Sequence, residues 1–176
     1  RKIKGGDKDA VMQNDLLSRA KEALEAGMPA RTCIIDSDEE KQWKQLTLLT
    51  AKPVLYVCNV EEDNAGKGNT HSDAVAKMAA DQGAASVVIS AAIEEEISQL
   101  DSDEAEMFLN ELGLKEAGLD RLIAAGYELL GLQTYFTVGP KEARAWTIRK
   151  NTSAPQAAGV IHGDFERGFI RAETIA

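Results

Sequence analysis

Cysteine and histidine are scarce in this sequence of 176 residues, which contains two of each. Neither Cys33 nor Cys58 has a neighbour at metal-ligand spacing, and His71 and His162 lack a cysteine or carboxylate partner at such a spacing. Free cysteines in this pattern are typical of reduced, cytoplasmic proteins. We therefore predict structural thiols, no metal site and no catalytic histidine or cysteine.

Long apolar runs are also absent. No stretch approaches the length of a membrane span and no signal peptide is visible, so we expect no membrane partner. The 44% of hydrophobic residues suffice for one good core, or for one core and a small second unit. Because the first residue is Arg1 rather than Met, we expect a part of a longer protein or a processed product.

Basic residues are too few to balance the acidic ones, and the net charge is −9. Residues 1–131 carry −11 and residues 132–176 carry +2. An acidic body argues against a broad nucleic-acid-binding surface, and we expect no DNA partner. The C-terminal stretch leaves room for a local RNA contact, although scattered surface charge explains its cations equally well. The candidate residues are Arg144, Arg149, Lys150, Arg167 and Arg171.

Two short apolar runs predict the centre of the fold. Residues 54–59 have the composition of a strand that is buried on both faces, and residues 86–90 form a second such strand. A helix over about 70–83 separates them, and helices over about 101–112 and 120–130 follow. Strand, helix, strand, helix in this order predicts half of a doubly wound α/β domain.

A different pattern precedes this α/β part. Residues 7–26 predict an amphipathic helix with a narrow apolar stripe. Ser37 and Glu40 have the spacing of a capping box that opens a second helix. A helical hairpin or coiled-coil arm and two ordinary surface helices are about equally compatible with these patterns.

The pattern of apolar and polar residues changes again at Leu132. Residues 132–138 and 143–148 alternate as the strands of a hairpin, and residues 159–162 and 168–172 are predicted as further strands of a small β-rich module. We thus predict three parts: a helical arm segment at 1–50, the α/β part at 51–131 and the β-rich part at 132–176.

Polar side chains stand at the carboxyl ends of both predicted parallel strands. Asn59 ends the first strand and is followed by Val60 and, at the third position, by Glu62, while Ser90 and Ala91 end the second. Ligands of open α/β sheets bind outside the carboxyl ends of the strands. An amide and a carboxylate at this edge can read a nucleobase. The alternative is that Asn59 and Ser90 only cap loops.

The pattern Asn59-x-x-Glu62 resembles the Asn-Lys-x-Asp motif of P-loop GTPases, whose Asp accepts hydrogen bonds from guanine N1–H and its 2-amino group. Val60 replaces the Lys, and the extra methylene of Glu62 displaces the carboxylate. Leaving a buried polar group unpaired costs about 1–3 kcal/mol, so we expect weaker guanine selectivity and acceptance of ATP. Ser90-Ala91-Ala92 stands where those GTPases place a Ser-Ala-Lys turn.

The sequence has no G-x-x-x-x-G-K-[ST] loop. It therefore lacks the lysine that contacts the β- and γ-phosphates and the hydroxyl that binds Mg²⁺. We expect no catalytic residue in this chain, and no nucleotide hydrolysis by the chain alone.

Longer stretches resemble the YchF family, the Obg-like ATPases of the translation-factor class of P-loop GTPases. The resemblance covers residues 49–60, 132–139 and 144–147, and it is most specific over 154–173. It implies the C-terminal half of a G domain, into which the helical arm is inserted, followed by a truncated β-grasp TGS domain.

The resemblance also implies a function for the intact protein. The parent would bind and hydrolyse ATP in preference to GTP, and its missing N-terminal half would hold the phosphates and Mg²⁺. It would be cytoplasmic and associated with ribosomes or RNA. The alternative is an RNA- or ribosome-binding interaction module in which the nucleotide-pocket residues are incidental.

Overall fold

The computed structural model of the chain describes residues 7–175 and is mixed α/β. The first six residues of the predicted arm segment lie outside the described residues. The helices are α1 (Lys8–Glu25), α2 (Glu40–Gln45), α3 (Thr70–Asp81), α4 (Ala91–Ile97), α5 (Ser102–Glu111), α6 (Gly118–Leu130), α7 (Ala154–Ile161) and α8 (Gly163–Arg167). The strands are β1 (Leu55–Asn59), β2 (Ala85–Ile89), β3 (Leu132–Val138) and β4 (Ala143–Arg149). None of the helices within residues 7–175 combines the length and the apolar character that a membrane crossing requires.

The chain divides by its contacts into two compact units, Arg1–Leu122 and Ile123–Ala176. The division falls inside α6 rather than at the predicted boundary after residue 131. In the second unit the hydroxyl of Tyr127, from the last turns of α6, lies 3.2 Å from the Thr147 hydroxyl of β4. The C-terminal part of α6 is thereby tied to the hairpin that follows it.

The predicted parallel pair is confirmed, because β1 and β2 pair in parallel from Leu55↔Ala85 to Asn59↔Ile89. The connecting helix α3 begins at a capping box. The Asn69 side chain accepts from the backbone N–H of Ser72, and the Ser72 hydroxyl accepts from the backbone N–H of Asn69. The prediction that β1 is buried on both faces is wrong. Val57 is 45% exposed, because β1 pairs with one strand only in the described part of the chain.

A small apolar core lies beyond the carboxyl ends of these strands. Ala65, Ile93 and Leu114 are buried together, and Ile97, Phe108 and Leu109 pack against them. Helix α5, which contributes Phe108 and Leu109, begins at a capping box of Asp101 and Glu104. The core joins the loop after β1 to the helix after β2, the two segments that carry the predicted site.

The arm segment contains one long helix and one short one. Asp7 caps α1, which confirms the helix predicted from residue 7, and Leu16 and Ala20 form its buried stripe. The predicted capping box of Ser37 is wrong, because α2 begins at Glu40 with no side-chain cap. The Glu39 carboxylate binds the guanidinium of Arg19 instead, and this hydrogen bond lowers the pKa of Glu39.

One arginine joins the segment after α1 to the α/β part. Arg31 donates from Nε to the Gln82 carbonyl at 3.1 Å and from Nη2 to the Gln82 side chain at 3.0 Å. The hydroxyl of Tyr56 in β1 donates to the same side-chain oxygen at 3.2 Å. The two segments are therefore held within one unit by a shared acceptor.

The described part of the second unit contains the end of α6, a β-hairpin and the short helices α7 and α8. Strands β3 and β4 pair antiparallel from Leu132↔Arg149 to Val138↔Ala143, as predicted. The Tyr135 hydroxyl donates to the Ala157 carbonyl of α7 at 2.8 Å, so that α7 packs on the face of the hairpin that carries Tyr135. Burial of the phenol raises the pKa of Tyr135.

The predicted strands at 159–162 and 168–172 are wrong. Residues 159–161 belong to α7, and the described residues after α8 form no strand. The reason lies just upstream, where Ser153 and Gln156 form a capping box and Pro155 stands in the first helical turn. These start signals convert the apolar run that follows into a helix.

We expect the substitution Ile93→Ala to lower the free energy of unfolding by about 2–4 kcal/mol, because it leaves a cavity in the small core. Urea unfolding followed by circular dichroism measures this effect. Met107→Ala on α5 is the matched control, because its side chain is 66% exposed. Equal losses for the two variants would contradict the assignment of the core.

Candidate functional site

The loops after β1 and β2 enclose an open pocket of about 480 Å³ at the carboxyl edge of the parallel pair. The pocket brings together four of the five residues singled out in the sequence, Asn59, Val60, Glu62 and Ser90. The fifth, Ala91, contacts the side chain of Asn59. The in-register pairing of β1 with β2 produces this meeting, because both strands end at the same level.

Asn59 bridges the two loops. It is the last residue of β1, and its side-chain Oδ1 accepts a hydrogen bond of 2.9 Å from the backbone N–H of Ala91. Ala91 is the first residue of α4, whose N-terminal N–H groups have no intrahelical partner. The amide oxygen thus satisfies one of these donors, and the Asn59 side chain stays exposed at the edge of the sheet.

The floor of the pocket is buried. Val60 is 9% exposed and its backbone N–H donates to the Ile89 carbonyl at 2.9 Å, which extends the sheet by one bond. Ser90 is 1% exposed, and its hydroxyl has no hydrogen-bond partner among the described residues. A buried hydroxyl without a partner is uncommon in folded proteins. Ser90 thus brings a buried hydroxyl without a protein partner to the floor of the pocket.

The rim of the pocket is acidic. Glu61, Glu62 and Asp63 are consecutive and exposed, and all three line the pocket. Ionised carboxylates accept hydrogen bonds and repel anions. The site is therefore suited to the N–H and amino donors of a heterocyclic base, and unsuited to a phosphate group. Among residues 7–175 no cluster of His, Cys, Asp and Glu side chains is arranged to hold a metal ion.

The structure does not bring the five predicted RNA-contacting cations into one patch. Arg144 and Arg149 lie on opposite faces of β4, since five positions separate them along a strand. Lys150 is ion-paired with Glu128, and Arg167 with Asp164. Arg171 is exposed in the segment after α8.

Arg144 has a distinct environment among these cations. Its guanidinium lies over the ring of Trp146 at 4.2 Å from the centroid. The indole N–H of Trp146 donates to the Thr137 hydroxyl at 2.9 Å, which fixes the ring. Stacking on an aromatic face orients an arginine and leaves its N–H groups free to bind an anion.

Sequence reasoning missed the residues that support the pocket from behind. They are Ala65, Glu94, Gly118 and Arg121, which lie outside the motifs and become neighbours only through tertiary packing. Glu61 and Asp63, in contrast, are adjacent to predicted residues, and the run of three carboxylates was a usable signal.

Comparison with known proteins gives consistent matches. The family model YchF-GTPase_C, described as a protein of unknown function (DUF933), matches residues 132–176. The protein named ribosome-binding ATPase YchF from Bacillus subtilis (strain 168) is 52% identical over 172 residues, which cover 97% of this chain and 47% of that protein. The protein of the same name from Escherichia coli O157:H7 is 48% identical over 176 residues, covering 100% and 48%.

A solved structure matches as well. The Schizosaccharomyces pombe YchF GTPase superposes with a TM-score of 0.77 at 36% sequence identity, and the match covers 89% of this chain and 42% of that one. The chain spans about half the length of the curated relatives it matches.

We expect the substitution Asn59→Ala to lower the hydrogen-exchange protection of the Ala91 amide by about tenfold, since its acceptor is lost. Amide exchange measured by NMR on this chain reports the change residue by residue. Asn110→Ala, at an exposed position of α5, should leave that amide unchanged. Unaltered protection in Asn59→Ala would contradict the bridging bond.

Proposed function

The chain belongs to the YchF family, and on that premise we propose that it supplies the base-recognition side of a nucleotide-binding domain in a longer, cytoplasmic ATPase. The observation that carries this proposal is the hydrogen bond between Asn59 and the Ala91 N–H, with Glu62 on the same pocket. It joins the two loops at the edge where parallel α/β sheets bind their ligands.

The proposed base site prefers adenine to guanine. Glu62 replaces the aspartate of the guanine-reading motif, and its carboxylate extends one methylene further from the backbone. Asn59 and Glu62 would hold the base edge, with the Ser90 hydroxyl and the Ala91 backbone closing the far side. Adenine has a 6-amino group that can donate a hydrogen bond to a displaced carboxylate. Recognition of guanine instead requires one carboxylate to accept from N1–H and from the 2-amino group at once.

The phosphates of the nucleotide belong elsewhere in this proposal. Three consecutive carboxylates at the rim would repel a triphosphate. The phosphate-binding loop and the Mg²⁺ ligands would come from a part of the protein outside this chain. Residues 7–175 would therefore hold the base without hydrolysing ATP.

A second role, ribosome binding, is favoured by the stacked arginine of the second unit. The relatives from B. subtilis and E. coli are named ribosome-binding ATPases. In this proposal residues 132–176 form a part of a β-grasp TGS domain, and the segment before residue 51 belongs to a coiled-coil arm. Arg144, oriented by Trp146, would contact a ribosomal RNA phosphate.

We expect Glu62→Asp in the full-length protein to shift base preference toward GTP by about tenfold, because it restores the shorter acid of the guanine-reading fork. Equilibrium titration with fluorescent ATP and GTP analogues measures both dissociation constants. Asp73→Glu, at an exposed position of α3, changes the length of a carboxylate side chain by one methylene away from the pocket and should alter neither constant. If Glu62→Asp leaves the ratio unchanged, the base-site assignment is wrong.

For the ribosome role, we expect Arg144→Ala to weaken ribosome co-sedimentation and to reduce the slope of log affinity against log salt by about one. Lys77→Ala on α3 removes a charge of the same sign from the first unit and serves as the control. Identical salt slopes for Arg144→Ala and the unmodified protein would exclude a phosphate contact by Arg144.

A further inference from the structure

The first turn of α6 binds the helix that carries one side of the pocket. The carboxylate of Glu94 in α4 accepts from the backbone N–H of Gly118 at 2.7 Å and from that of Leu119 at 3.0 Å. Backbone N–H groups in the first turn of a helix have no intrahelical acceptor and attract negative charge. Glu94 therefore joins α4 to α6 through two charge-assisted bonds.

Helix α4 depends on such bonds for its position. It contains only 7 residues, and Ser90 at its N-cap makes no side-chain capping bond. So short a helix is not stable by itself in water. Besides the bond from the Ala91 N–H to Asn59, two consecutive residues tie it to the rest of the unit: Ile93, which is buried in the small core, and Glu94. They lie one turn after Ser90 and Ala91, so they determine where these two residues stand.

The same turn of α6 also reaches the other side of the pocket. Arg121 donates from Nη2 to the Ala65 carbonyl at 3.3 Å. Ala65 is the C-cap of the 3-10 turn Glu62–Asn64, and its N–H donates to the Glu62 carbonyl at 3.0 Å. Arg121 is therefore linked, through one turn of backbone, to the loop that carries Glu62.

The space around Gly118 is too narrow to take a side chain without displacing its neighbours. A Cβ atom built on Gly118 would lie 2.8 Å from Glu94 Oε1 and 3.2 Å from two carbons of Ile89. Ile89 is the last residue of β2. A side chain at position 118 would therefore displace the Glu94 carboxylate and press on the end of β2.

We propose that the first turn of α6, residues 118–121, sets the spacing between the two sides of the base pocket, with Glu94 and Arg121 as positioning residues. The inference rests on the proposed base site. Glu94 holds the Ser90–Ala91 side and Arg121 holds the Glu62 side, and the two meet on one rigid helical turn. Neither side chain touches the base. Loss of either bond lets the two sides move apart, which weakens discrimination between bases more than it weakens phosphate binding.

The test uses the full-length protein with four substitutions: Glu94→Ala, Glu94→Gln, Gly118→Ala and the control Glu95→Ala. Glu95 is an exposed neighbour on α4 whose carboxylate makes no hydrogen bond or salt bridge among the described residues. Dissociation constants for ATP and GTP analogues and the melting temperature are measured for each. We expect Glu94→Ala and Gly118→Ala to move the ATP-to-GTP ratio about threefold to tenfold toward one. Glu94→Gln, which keeps one carbonyl acceptor, should show a smaller shift, and Glu95→Ala none.

Two further variants separate positioning from general loss of stability and from failure of the base site itself. Leu16→Ala, in the buried stripe of α1, lowers the melting temperature without touching the pocket, and its ratio should stay unchanged. If Glu94→Ala and Gly118→Ala shift the ratio no more than Leu16→Ala does, the positioning role is overturned. If Asn59→Ala is the only variant that shifts the ATP-to-GTP ratio, the base site is supported and the positioning role of α6 is refuted. If Asn59→Ala leaves the ratio unchanged, the base site itself is refuted.

Discussion

The hydrogen bond from the Ala91 N–H to the Asn59 side chain is the constraint on which the rest of the site depends. It requires β1 and β2 to be parallel neighbours in register, because only then do their ends meet at one level. It also requires Ser90 to turn the chain sharply into α4, which buries the Ser90 hydroxyl and presents the first helical N–H to the amide. A single side chain thereby joins two segments that lie 32 positions apart. The small core of Ala65, Ile93 and Leu114 then closes behind the bond.

The two units differ in the sign of the charge that their candidate binding residues carry. The pocket is rimmed by carboxylates, which suit it to the donors of a base and not to phosphates. Two cations of the second unit are neutralised locally, Lys150 by Glu128 and Arg167 by Asp164. Arg144 instead lies on an aromatic ring, which orients it without cancelling its charge. The first unit thus carries an acidic pocket and the second unit an oriented cation. A count of charged residues does not reveal this difference.

Local signals in the sequence predicted much of the fold. The apolar runs of β1 and β2, the alternation of β3 and β4 and the helices that begin near residues 7 and 101 follow from neighbouring residues, and they are confirmed. The errors have the opposite cause. Residues 159–162 look strand-like alone, but α7 begins at the capping box of Ser153 and Gln156 and continues through residue 161. Four pocket residues, and Ala91 beside them, followed from the ends of two strands, whereas Glu94, Gly118 and Arg121 become partners only after α6 returns to the sheet. No local pattern contains that information.

The glycine at the start of α6 has a consequence for how this region can change in length. Successive residues of an α-helix are rotated by roughly 100°, so one inserted or deleted residue between Gly118 and Arg121 would turn the arginine away from the Ala65 carbonyl. Surface loops tolerate insertions because their ends can be rejoined at little cost in free energy. The turn at 118–121 cannot, since its backbone donors and its guanidinium must face two separate acceptors at once. Insertions and deletions should thus be excluded from these four positions while the neighbouring loops accept them.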